Sequence, residues 1–437
     1  MDCLLTQSDT ERILAMKTKE IIITCMIAAL VMVIAPMQSQ AQTQQGGHIR
    51  FGNLAIIPGI ALDGVYDDNI YMGNGKQYTD SATTRRELKE SDWITHAKPS
   101  LLLSYTLPER GSVNLGYQGD YAFYDKNNSN NWKNNQGSLL VDYQAPGGLI
   151  LGVGERFTAS EDPYGSADQY AIGRTTKRWT NDAKTKLGYN IMANLRSFVY
   201  YNNYKQQYND IADYSQDYTD SELGLGMESR FLPKTWGFIR YHYGQRRYNT
   251  NAPGQGDDYN SNSKWHRANV GLTWDPGAKL SGEVSLGYLW RKYDHEYTSA
   301  TQMAKRDDKK TWVAETTVTF MPTAMTMLTM TLNRAIRDTA SDTNEQFTDT
   351  GIGLNLQQTF LTKFTLNAGV GYSKNEYNLP VANARTDDNY LANIGLDYNI
   401  REWLGVGIGY YLNRKNSNID TNEFTDNKFM ISLKVLF

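Results

Sequence analysis

Cysteine is nearly absent: the 437-residue chain has two, Cys3 and Cys25, both inside the first 25 residues. If the N-terminal segment is removed, no thiol remains for a disulfide, a metal-thiolate site or a thiol nucleophile. Charge of one sign is lacking too, with 44 basic and 47 acidic side chains. Residues 42–437 keep 41 basic against 43 acidic ones, so no basic excess points to nucleic acid as a partner. Histidine is scarce, and His48, His96, His242, His266 and His295 form no His-x-x-x-His pair, which leaves no zinc motif. Long apolar runs are missing after residue 35, and the mean hydropathy is −0.57. No segment there approaches the roughly 20 apolar residues of a spanning helix.

What the chain does have is 30 Tyr, 9 Trp and 36 Gly, arranged with a period of two. In Ser112–Tyr124, Val113, Leu115, Tyr117, Tyr121 and Phe123 share one face while Asn114, Gln118 and Asp120 share the other. Ser281–Arg291 repeats the pattern, with Val284, Leu286, Tyr288 and Trp290 against Glu283, Ser285 and Arg291. Such alternation fits strands whose two faces meet different solvents. A transmembrane strand hides from hydropathy averages because only alternate residues meet lipid.

The connections alternate in length. Short ones fall at 107–110, 145–148, 191–194, 232–235, 275–278, 321–324, 360–363 and 400–403, several marked by Pro or Gly. Long polar ones, rich in Asn, Asp, Ser and Tyr, include 125–135, 161–176, 206–215, 249–263 and 294–308. Eight short turns and nine long loops predict an all-β fold: a single transmembrane antiparallel up-and-down β-barrel of about 18 strands over residues 54–437. Both chain ends then lie in the periplasm. A soluble β-sandwich of this length would leave exposed edges to protect, whereas closure removes them.

Ahead of the barrel, Lys17 and Lys19 precede the apolar stretch Ile21–Ala35, and Ser39-Gln40-Ala41 offers small residues at the positions that signal peptidase reads. Residues 1–41 are therefore expected to be a signal peptide, with translation starting at Met16, and residues 42–53 a short periplasmic segment. That segment is too short for the plug of a TonB-dependent transporter. At the other end Phe429, Ile431, Leu433, Val435 and Phe437 alternate with Met430, Ser432, Lys434 and Leu436. An alternating last strand ending on Phe resembles the signal read by the outer-membrane assembly machinery, an expected partner alongside outer-membrane lipid. Trp236, Trp265, Trp274, Trp312 and Trp403 lie near strand ends and are expected in the interfacial girdles.

Alternation places Arg156, Arg230, Arg240, His242, Arg246, Arg267, Glu283, Arg291 and Glu315 toward the lumen. Lys184, Lys186, Arg337, Asp120, Asp142, Glu222, Glu228 and Asp397 join them. The mixture of signs suggests a weakly selective channel or a lumen partly closed by its own salt bridges. Neither Gly405-Val406-Gly407-Ile408-Gly409 nor Gly351-Ile352-Gly353 is followed by a helix, so both read as small inward residues of strands and not as phosphate loops. Asp67-Asp68-Asn69, Asp257-Asp258, Asp307-Asp308 and Asp387-Asp388-Asn389 are read as loop acids; they lack EF-hand spacing, and no metal or cofactor is expected.

Several segments carry a family resemblance: Asp92–Tyr105 (DWITHAKPSLLLSY), Gly116–Tyr124 (GYQGDYAFY), Tyr66-Asp67-Asp68-Asn69-Ile70, Glu161-Asp162-Pro163-Tyr164-Gly165, Pro233–Tyr248 (PKTWGFIRYHYGQRRY) and Leu286–Tyr293 (LGYLWRKY). Over most of residues 54–437 the chain resembles the outer-membrane β-barrel porins of the second type, a family often linked with exopolysaccharide loci. The resemblance implies a non-enzymatic, passive Gram-negative outer-membrane channel or exporter, with saccharide polymers and export-complex components as partners. Two other readings remain open at this point. One is a closed surface-attachment barrel that binds through its long loops, and the other is an outer-membrane hydrolase built around His242.

Overall fold

A computed structural model describes residues 49–80, 83–86, 88–162, 175–210, 217–248, 262–274, 279–294, 308–338, 346–377 and 385–437. The expected signal peptide and Met16 start lie outside these residues, as do the short turn at 275–278 and the acids Asp257, Asp258 and Asp307.

The ring consists of β1 (Leu54–Asp67), β2 (Asp92–Leu107), β3 (Gly111–Tyr124), β4 (Trp132–Gln144), β5 (Leu149–Asp162) and β6 (Thr176–Met192). It continues with β7 (Leu195–Tyr208), β8 (Tyr218–Leu232), β9 (Thr235–Tyr248), β10 (Ser263–Trp274), β11 (Leu280–Tyr293) and β12 (Lys309–Thr323). The last six are β13 (Thr326–Asp338), β14 (Gln346–Phe360), β15 (Phe364–Tyr377), β16 (Thr386–Arg401), β17 (Leu404–Ser417) and β18 (Phe424–Leu436). Each strand pairs antiparallel with its neighbours in sequence. β1 closes the ring by pairing with both β2 and β18, so that Tyr66 faces Trp93 on one side and Phe429 on the other. The eighteen strands run from 12 to 17 residues, beyond the roughly 9–11 a tilted strand needs to span a bilayer. A short strand, Ile49–Phe51, folds back on the start of β1.

The expected eight short turns and nine long loops are the connections between these strands. The strands reach up to four residues further into some loops than the alternation suggests, as where β4 begins at Trp132. β16 begins at Thr386, so Asp387-Asp388-Asn389 are strand residues and not loop acids, and Asp67 is the last residue of β1. Extension is favoured there because the long loops are anchored by backbone bonds, such as Asp68 N donating to Asn427 O at 3.1 Å.

Directly paired residues share a face. Met227, Ile239, Val270 and Leu286 form one continuous cross-strand row and are 48, 61, 55 and 53% exposed, which marks the outer, lipid-facing wall. A soluble protein could not leave such a band uncovered; lipid covers it. Phe429, Ile431, Leu433 and Phe437 lie on this wall, each at least 40% exposed, and Val435 shares their parity. The opposite face of every strand lines the lumen.

Candidate functional site: the lumen wall

The wall of β6–β11 carries long charged and aromatic side chains in layers. Glu228 is 1% exposed and is held by two guanidinium groups: Arg196 Nε donates to Oε2 at 2.7 Å and Arg240 Nη2 to Oε1 at 2.9 Å. Arg240 also forks onto Glu283, with Nη1 to Oε1 at 2.7 Å and Nη2 to Oε2 at 2.8 Å. Two cations and two anions thus form one neutral chain across β7, β8, β9 and β11. The planar fork of arginine makes this paired geometry possible.

Toward the long loops, Glu222 gathers a second group. Arg267 Nη2 donates to Oε1 at 3.2 Å, Trp265 Nε1 to Oε2 at 3.3 Å, and His242 Nδ1 lies 3.1 Å from Oε1. Above it, Arg246 grips Asp220 with two bonds of 2.7 and 2.6 Å. Arg291, buried at the same end, donates from Nε to Ser263 Oγ at 3.0 Å, and Tyr293 donates to Gln346.

Rings lie beneath these guanidiniums. Arg240 sits 3.8 Å from the Phe238 ring centroid, Arg196 3.8 Å and Arg230 4.4 Å from that of Trp236, and Arg246 4.0 Å from that of Tyr218. Each contact adds about 0.5–2 kcal/mol. Phe238 and three other inward rings each lie over a glycine of the opposed strand. A Cβ on Gly188 would fall 2.2 Å from Phe198, on Gly224 2.5 Å from His242, on Gly244 2.2 Å from Trp265 and on Gly271 2.4 Å from Phe238. All four glycines face these rings in direct register. At Gly271, Phe238 and Arg240 the glycine, ring and guanidinium stack from the backbone outward, and the bulk stays on the wall.

The wall of β14–β17 is different. It carries Gly351, Gly353, Asn355, Asn367, Gly369, Ser373, Asn389, Asn393, Gly395, Gly405, Gly407 and Gly409. Here the amides of Asn355 and Asn393 close over Gly369, where a Cβ would meet either Oδ1 at 2.4 Å. The Gly-x-Gly runs are small inward-facing strand residues, as expected.

The remaining expected lumen residues divide into paired and open ones. Arg337 meets Asp349 at 3.0 Å, Lys434 meets Asp397 at 2.7 Å and Lys184 meets Asp182 at 3.1 Å, while Lys186 lies 4.3 Å from the Phe198 ring centroid. Asp142 lies on this face opposite Gly152. On β1–β3, Lys98 bridges Asp63 at 2.8 Å and Asp120 at 3.8 Å, and His96 Nδ1 is 2.8 Å from Asp120. Glu315 faces the lumen opposite Ser285 and is exposed there, and Arg156 Nε has no hydrogen-bond partner among the described residues.

Two expectations are corrected. Trp236 and Trp265 are not girdle residues: they share the parity of Arg240 and Arg267 and lie under guanidinium or beside Glu222, with Trp236 only 3% exposed. Trp312 and Trp403, 46 and 44% exposed, do face outward. Arg196 was missed because it follows a register shift beside the 193–194 turn, where alternation loses its phase. At the loop end, Lys428 Nζ lies 2.8 Å from Asp67 and 3.3 Å from Asp426, so an internal ammonium occupies the acidic group formed by Asp67, Asp68 and Asp426.

A closed 18-stranded barrel with an apolar outer wall and a polar inner one is the geometry of a bacterial outer-membrane channel protein. The family model described as "Putative beta-barrel porin 2" matches residues 44–437. The chain belongs to this family. It is an outer-membrane β-barrel porin, as the sequence resemblance implied. No curated protein matches the chain. Among solved structures, this porin is similar to OccAB4 of Acinetobacter baumannii, at 11% identity over 87% of this chain and 98% of that one, with a TM-score of 0.41. It is similar to OpdK of Pseudomonas aeruginosa, at 11% identity over 87% and 99%, with a TM-score of 0.41. A BenF-like porin from Pseudomonas fluorescens Pf-5 gives 10% identity over 87% and 99%, with a TM-score of 0.43.

Proposed function

We propose that this porin is a passive, weakly ion-selective channel for polar solutes of saccharide size, with no chemistry of its own. The observation that carries the reading is the neutral chain Arg196–Glu228–Arg240–Glu283. Its charges satisfy one another, so this stretch of the wall presents little net field to a passing ion. The facing arc of Asn, Ser and Gly offers short amide and hydroxyl groups suited to sugar hydroxyls. The rings do not serve as a stacking track, because Trp236, Phe238 and Phe198 are buried beneath the charged groups.

Saccharide polymers, as the family's link with exopolysaccharide loci suggests, are the solutes we favour, with export-complex components as partners. A hydrolase built on His242 has less support. The ring is held between Gly224, Glu222 and Tyr200, and no hydrogen bond joins it to a serine or threonine hydroxyl among the described residues.

Liposome swelling tests the solute class. Neutral oligosaccharides and their uronate counterparts of equal size should enter at similar rates. Entry of neither, with an intact barrel, would favour the surface-attachment reading.

A further inference from the structure

The outward wall changes character at the end that carries the long loops. On β6–β15, one row beyond the outer aromatics, lie Lys205, Arg247, Lys292, Lys310 and Arg334. Their outward direction follows from register. Lys205 and Arg247 flank Thr219, Lys310 pairs with exposed Trp290, Lys292 pairs with Lys264, and Arg334 pairs with Ala314, itself opposite the outward Leu286.

Other cations in the same belt have carboxylate partners: Lys177 meets Glu161 at 3.1 Å, Lys264 meets Asp294 at 3.6 Å and Lys374 meets Glu376 at 3.1 Å. The five named first have none among the described residues. Two of them lie over rings: Arg334 is 4.5 Å from the Trp312 ring centroid and Lys205 is 5.3 Å from that of Trp179. Arg334 further donates to the hydroxyls of Thr350 and Thr311.

Lys264 and Lys292 face each other directly across two strands, where like charges repel; among the described residues Asp294 answers Lys264, and no carboxylate answers Lys292. Uncompensated cations seated on a girdle, at the depth where rings meet head groups, call for an anion supplied by the membrane itself. The long-loop end is the extracellular one, so the leaflet in contact is the outer leaflet.

We propose that the outward rim of β6–β15 is a docking surface for the phosphate groups of phosphorylated glycolipid in the outer leaflet. Arg334 on Trp312 is its centre, and Lys292 and Lys310 flank it. On the remaining arc, β16–β18 with β1–β5, the outward Lys133 is met by Glu161 at 4.0 Å and the outward acid Asp388 accepts from Tyr372, so this arc would hold the lipid less well.

The test uses the whole refolded barrel and purified lipid A in bisphosphorylated and dephosphorylated forms, with retained lipid counted by native mass spectrometry. The wild-type barrel should retain the bisphosphorylated form at least about tenfold more than the dephosphorylated one. The triple variant Lys292→Gln, Lys310→Gln, Arg334→Gln should lose most of that preference, while Lys184→Gln in the lumen should keep it. Equal retention of the two lipid forms by the wild-type barrel would overturn the proposal, as would an unchanged preference in the triple variant. The wild-type comparison decides the matter even if the triple variant fails to fold.

Discussion

Arg240 on β9 reaches over β10 to Glu283 on β11, with Nη1 2.7 Å from Oε1, and does so lying flat on the ring of Phe238. That reach is possible because Phe238 itself lies over Gly271. Arg240 thereby ties three strands together and sets the charge balance of the lumen wall.

Glu228→Gln removes the anion shared by Arg196 and Arg240. The variant should lose about 3–5 kcal/mol of stability, the usual cost of breaking a buried pair. In a salt gradient its reversal potential should move toward anion selectivity, since two guanidiniums then have one carboxylate between them. An unchanged reversal potential would show that this chain does not govern the ion path.

Gly271→Ala and Gly224→Ala should differ. A Cβ on Gly271 meets the backbone oxygen of Val284 at 2.1 Å as well as the Phe238 ring, whereas one on Gly224 meets only the side chain of His242. A ring can swing and a backbone cannot. Gly271→Ala should therefore cost more than about 3 kcal/mol and Gly224→Ala nearer 1 kcal/mol, while the displaced His242 lowers single-channel conductance. Equal thermal shifts in the folded-to-unfolded gel transition would contradict this.

Lys428→Met leaves Asp67 and Asp426 facing each other without their ammonium. The β1–β18 seam should open at lower temperature, and millimolar Ca²⁺ should restore part of the loss by taking the place of the amine. No response to Ca²⁺ would mean the three acids cannot rearrange into a ligand set.

Phe437 stacks on Trp403 with centroids 6.0 Å apart, and its N–H donates to Pro58 O at 3.0 Å. Phe437→Ala should lower the yield of folded barrel in cells more than its yield in detergent refolding, because the cellular route adds recognition of the last strand. Equal losses in both settings would assign Phe437 to packing alone.

Strand number, closure and the facing of most side chains were legible in the sequence, because lipid on one side and water on the other impose a period of two. Arg240, His242 and Arg246 were assigned to the lumen on that ground. Trp236 and Trp265 were misplaced because aromatic identity near strand ends outweighed parity, although Trp236 alternates with Ile239 and in phase with Arg240. The glycine–ring pairs were invisible without register, since Gly188 and Phe198, or Gly271 and Phe238, become neighbours only through pairing. Lys428 between Asp67 and Asp426 needed closure of the ring, which joins residues from opposite ends of the chain.

The most direct test of the channel reading is single-channel recording from the refolded chain beginning at Gln42 in a planar bilayer. Steady ohmic currents with weak ion selectivity, interrupted by neutral oligosaccharides, are the predicted result. A barrel that is folded by gel mobility yet carries no current would contradict it.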